Sequence, residues 1–69
     1  MAKQFQVLKC FYNGEEYRVI HKYGDVNPYR IYHCYRARNQ YGYMSDHKRE
    51  VARYANMNSC FWWFAQNVN

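Results

Sequence analysis

A single proline, Pro28, and three isolated glycines, Gly14, Gly24 and Gly42, are the only strong chain breakers in this sequence. So few breakers, so widely dispersed, leave no flexible linker, no low-complexity tract and no glycine-rich loop to cradle a phosphate. Acidic residues are also scarce: five Asp and Glu stand against ten Lys and Arg. Glu15 and Glu16 follow a turn, Asp25 lies in a loop, and Asp46 and Glu50 sit among cations. Their positions imply no carboxylate pair in a pocket for general acid–base work. Ser45 and Ser59 stand where a turn or a helix cap needs them, and no nucleophile motif surrounds either. A domain of this size also has little room for a pocket of about 300 Å³. Neither an enzyme nor a small-molecule substrate is expected.

Long apolar runs are absent. Nothing approaches the run of about 20 apolar residues that spans a bilayer, and the opening MAKQFQVLKCFYNG lacks the apolar segment of a signal peptide. No membrane association is expected. Three cysteines, Cys10, Cys34 and Cys60, make an odd, widely spaced set rather than a disulfide framework, which points to a reducing, cytoplasmic setting. His21, His33 and His47 add metal-ligand types, but the short paired spacings of a zinc site do not occur. Cys10 and His21, which the strand pattern puts on one face, come nearest to a ligand pair. No metal and no cofactor is expected, and the cysteines read as small buried hydrophobes.

What the chain does have is aromatic surface and positive charge. Nine Tyr, four Phe and two Trp sit in 69 residues that are 49% hydrophobic, enough to pack an interior and to argue against disorder. Residues 1–69 form one small domain, which buries only about 60% of the surface its unfolded chain exposes. The net charge of +5 favours anionic partners, although it also serves solubility.

The clearest local signal is FQVLKCFY-NG-EEYRVIHKY. Asn13-Gly14 supplies the two positive-φ positions of a type I′ turn between two β-rich runs, predicting strands over 4–12 and 15–23. A two-residue loop sets Tyr12 opposite Glu15, Cys10 opposite Tyr17 and Leu8 opposite Val19. One face then gathers Leu8, Cys10, Tyr12, Tyr17, Val19 and His21. The other gathers Phe5, Val7, Lys9, Phe11, Glu16, Arg18, Ile20 and Lys22. A bulge would mix the sets, since a slip of one residue exchanges faces.

GDVNP makes a loop, and YRIYHCYRAR predicts a third strand over 29–38. Its alternation puts Tyr29, Ile31, His33 and Tyr35 on one side and Arg30, Tyr32, Cys34, Arg36 and Arg38 on the other. Residues 46–55 read either as a fourth strand or as the start of a long helix. The cap-forming residues of NMNS favour the strand. With Asn56 as cap, Met57, Cys60, Phe61, Phe64 and Val68 fall on one helical face, predicting a helix of about 11 residues. The fold class is therefore α+β: a three- to four-stranded antiparallel meander with one C-terminal helix packed on one face.

One helix shields one side of the sheet. The other side is predicted to expose Lys9, Arg18, Lys22, Arg30, Arg36 and Arg38, interleaved with Phe5, Val7, Phe11, Ile20 and Tyr32. Cations that meet phosphates and rings that stack on bases point to a binding module for a polyanion, nucleic acid first. Arg18, Lys22, Arg30, Arg36 and Arg38 are the candidate phosphate contacts, with Lys9 beside them; Tyr32 and Phe11 are the candidate stacking rings. The alternative is a protein-binding module, an inhibitor or adaptor acting as a homodimer, with Phe5, Phe11, Trp62 and Trp63 as anchors. A third reading needs no partner: the long Lys and Arg stems lie over the apolar atoms. Of the adjacent tryptophans, Trp63 borders the apolar stripe of the helix and Trp62 lies further round.

Overall fold

The computed structural model describes residues 3–67, and its chain runs β1 (Gln4–Tyr12), β2 (Glu15–Lys22), β3 (Tyr29–Arg38), β4 (Met44–Tyr54) and α1 (Met57–Asn67). The four strands form one antiparallel sheet in the order β1-β2-β3-β4, each strand beside its neighbour in sequence. This is the α+β meander with a terminal helix; residues 46–54 belong to the fourth strand, which begins at Met44, and Ala55 lies in the bend before the helix.

Each connection has its own chemistry. Asn13 and Gly14 have φ of 52° and 80°, the left-handed pair that turns β1 into β2, and Tyr12 faces Glu15 across the turn. Between β2 and β3, Asp25 Oδ1 accepts the Asn27 N–H at 3.1 Å, and the Lys22 N–H donates to the Pro28 carbonyl at 2.9 Å. Between β3 and β4, Asn39 Oδ1 accepts the N–H groups of Tyr41 and Tyr43 at 2.9 and 3.1 Å. The helix begins where the sequence places its cap: Asn56 Oδ1 accepts the Ser59 N–H at 2.9 Å, satisfying one of the orphan donors of the first turn.

Two bulges correct the alternation read from sequence. In β1, Gln6 pairs with Ile20 and Leu8 with Val19, so Val7 is an extra residue. Before it the faces exchange, and Phe5, expected beside Lys9, crosses to the helix side, where it pairs with His21 and stacks on its ring at 5.1 Å. In β4, Glu50 pairs with Tyr32 and Ala52 with Ile31, leaving Val51 as the extra residue. This shift turns Ala52 and Tyr54 toward the helix and keeps Arg53 on the opposite side.

The core is small. Val19, Ile31, Cys60 and Phe64 form its buried centre, with Leu8, Cys10, Tyr17, Tyr29, Val51, Ala52, Tyr54, Met57 and Trp63 packed around it. Phe64 is the principal contact from the helix, stacked on Tyr12 at 5.4 Å and edge-on to Tyr17 at 5.7 Å. Phe61, expected in the apolar stripe, is 55% exposed, and Trp63 packs edge-on against Tyr17 at 5.9 Å instead. Trp62 is 60% exposed. Val68, the last member of the expected stripe, lies outside the described residues. The molecule is a slab of about 38 × 36 × 14 Å, one sheet and one helix deep.

Candidate anion-binding face

Pairing fixes which side chains share the side of the sheet away from the helix. Across the strands run Gln6, Ile20, Arg30 and Arg53; then Lys9, Arg18, Tyr32 and Glu50; then Phe11, Glu16, Cys34 and Lys48. Beyond the end of β2, Arg36 faces Asp46 and Arg38 faces Met44. With Lys22, eight of the ten cationic side chains occupy this face, against three carboxylates. The six cations expected here are all present. Lys48 and Arg53 join them, missed because the faces of 46–55 were not assigned; alternation through MSDHKRE would have found Lys48, but Arg53 needs the bulge.

The arginines are largely engaged. Arg18 Nε meets Glu16 Oε2 at 2.6 Å, and Arg36 Nε lies 3.4 Å from Asp46 Oδ1. Arg30 is held by Asp25 and lies 3.5 Å from Glu50, which also receives Arg53 at 2.6 Å. Asp25 is kept below the ordinary carboxylate range by the Asn27 amide and then by Arg30, while the Arg30 guanidinium is raised chiefly by its hydrogen bond to Asp25. Arg18, Arg30 and Arg36 thus have carboxylate partners already, and a phosphate would have to compete for them.

The lysines are different. Lys9, Lys22, Lys48 and, among the arginines, Arg38 meet no carboxylate among the described residues; Arg38 donates to the Gly42 carbonyl at 3.0 Å. Lys22 and Lys48 hold their ammonium groups 5.6 and 4.9 Å from the centre of the Tyr32 ring, and Lys9 lies 5.6 Å from that of Phe11. Tyr32 is only 7% exposed, so the ring expected to stack on a base is covered, and its neighbours' stems do lie over apolar atoms. Phe11, the other ring expected to stack, is 63% exposed and stays open to solvent. Its fellow anchors have separated: Phe5 is on the helix side, Trp63 is packed against Tyr17, and Trp62 stands out from the helix.

Little room for a pocket was expected, and the concave sites present are open grooves. Where β3 and β4 outrun β2, an open groove of about 360 Å³ is lined by Glu16, Arg18, Cys34, Tyr35, Arg36, Asp46, His47 and Lys48. A second, of about 380 Å³, lies between the sheet and the end of α1, with Glu15, Tyr17, His33, Arg49 and Trp63 in its walls. His33 Nε2 is 2.6 Å from Glu15 there. Burial raises the thiols of Cys10, Cys34 and Cys60, which keeps them protonated near neutrality. Among the described residues no group of three or more His, Cys, Asp or Glu is placed to hold a metal ion; Cys10 and His21 share a face, with His21 ringed by Phe5, Tyr23 and Tyr29. No described helix is long and apolar enough to cross a membrane. No family model, characterised protein or solved structure matches the chain.

Proposed function

We propose that this chain is a small non-enzymatic binding module whose open sheet face takes up a polyanion, nucleic acid foremost. The observation that carries this reading is the gathering of eight of ten cations on the side the helix leaves bare, with Lys9, Lys22, Lys48 and Arg38 meeting no carboxylate among the described residues. Positive groups drawn together in this way repel one another, and an incoming row of phosphates relieves that cost while releasing its own counterions. The lysines are the first contacts, since their charge is free; Arg18, Arg30 and Arg36 serve chiefly to hold the face in shape. Phe11, exposed at the edge with Lys9 above it, supplies one ring for a base. Three unpaired thiols support a reducing, cytoplasmic setting.

Fluorescence anisotropy with a labelled single-stranded oligonucleotide, at low and at physiological salt, tests the proposal. Binding that weakens steeply with salt is expected, and absence of binding at low salt would end it. A second reading, docking of a protein on the outer side of α1, is favoured by one feature: Phe61 and Trp62, adjacent and both more than half exposed. Trp62→Ala would abolish such docking and leave oligonucleotide binding intact.

A further inference from the structure

The two margins of the sheet are built unlike each other. β4 ends it on one side with Asp46, Lys48, Arg49, Glu50 and Arg53 among eleven residues, the kind of charge that keeps an exposed strand from recruiting another. β1 ends it on the other with nine residues, QFQVLKCFY, of which only Lys9 is charged, while Phe5, Val7, Phe11 and Tyr12 are exposed. The core behind it is slight for a domain that must hold itself together.

The turn fixes which amides are free at that margin. A two-residue loop makes Tyr12 and Glu15 a pair that exchanges both backbone bonds, so Cys10 and Leu8 likewise turn their amides to β2, and Lys9 and Phe11 turn theirs outward. We propose that β1 pairs with the β1 of a second copy of this chain, antiparallel about a twofold axis at Cys10. That residue is the midpoint of Leu8–Tyr12, the unbroken stretch between bulge and turn. The register lets Lys9 exchange backbone bonds with the partner's Phe11, and sets the Lys9 ammonium near that ring as it already is near its own. A twofold at Lys9 would oppose two like charges instead.

An axis normal to the sheet leaves both open faces on the same side and both helices behind them. The pairing is argued from the margin alone; its consequence, a doubled basic surface for a longer polyanion, rests on the function proposed above.

Sedimentation velocity across about 10 μM to about 1 mM, the range of a weak association, should show dimer rising with concentration. Phe11→Pro, which removes an outward N–H at a margin that tolerates proline, should abolish the dimer at unchanged far-ultraviolet circular dichroism. Phe11→Ala should retain it. Oxidation of the dimer with diamide at alkaline pH should link Cys10 to the partner's Cys10 in a peptide map. Monomer at every concentration, a dimer indifferent to Phe11→Pro, or a link through Cys34 instead would overturn the pairing. If Phe11→Pro unfolds, the peptide map decides. Oligonucleotide binding by a strict monomer would end the pairing and spare the functional reading; a dimer that ignores oligonucleotides would do the reverse.

Discussion

Lys48 on β4 holds its ammonium 4.9 Å from the centre of the Tyr32 ring on β3, closing over a tyrosine that the strand alternation alone would leave bare. The pair joins the two halves of the basic face: the ring is the floor, and the charge above it is free to meet an anion. Lys48→Gln should therefore weaken oligonucleotide binding roughly uniformly across sequences and lower the salt slope by about one. Anisotropy titrations at several salt concentrations measure both. Arg36→Gln, whose guanidinium already faces Asp46, should change the slope less.

Phe64 anchors the helix through Tyr12 and Tyr17 and is nearly wholly buried. Phe64→Ala is expected to cost about 3–5 kcal/mol, which for so small a domain means a largely unfolded population. Trp62→Ala, on the exposed side of the same helix, should stay within about 0.5 kcal/mol. Urea titrations followed by circular dichroism would separate the two.

Asn56 is the start of the helix in chemical fact as well as in sequence, since its side chain accepts the Ser59 amide. Asn56→Ala should lose about 0.5–2 kcal/mol, whereas Asn56→Ser should recover most of it. Thermal melts are a sensitive readout, because each kcal/mol shifts the midpoint by about 4–8 °C in a domain of this length.

Asp25 binds its proton less readily folded than unfolded, held down by the Asn27 amide and Arg30. A carboxylate with a depressed folded value adds stability above its unfolded value, and that contribution is lost as pH falls through the folded one. Stability should therefore decline through the acid range below that of an ordinary aspartate, and Asp25→Asn should flatten this limb while lowering stability near neutrality. Denaturant midpoints measured between neutral and acid pH provide the check.

The first hairpin was legible because Asn13-Gly14 permits few alternatives, and the helix because Asn56 and the spacing of Cys60 and Phe64 agree. The bulges were not, because neither Gln6-Val7-Leu8 nor Glu50-Val51-Ala52 carries a glycine or another local mark; that of β4 sets Ala52 and Tyr54 against the core, and that of β1 sets Phe5 on the His21 ring. Phe61 and Trp63 exchanged roles for a related reason. Helical spacing gives the centre of a stripe, but the ring of Tyr17 decides which flank finds a partner. On the basic face, residue identity located the charge and alternation put Glu16 beside Arg18, but only the pairing of β3 with β4 set Asp46 near Arg36 and Glu50 near Arg30, while among the described residues the lysines meet no carboxylate.

The extra residues Val7 and Val51 bear on how this chain can change in length. Losing one of them would make its strand regular and leave every neighbour on its present side, at the expense of local twist and, for Val51, its contact with the core. A one-residue deletion elsewhere within a strand, with the bulge retained, would turn the segment between deletion and bulge inside out, sending charge under the helix and rings into water. Variants of this protein that differ by a single residue within β1 or β4 should therefore differ at these two valines.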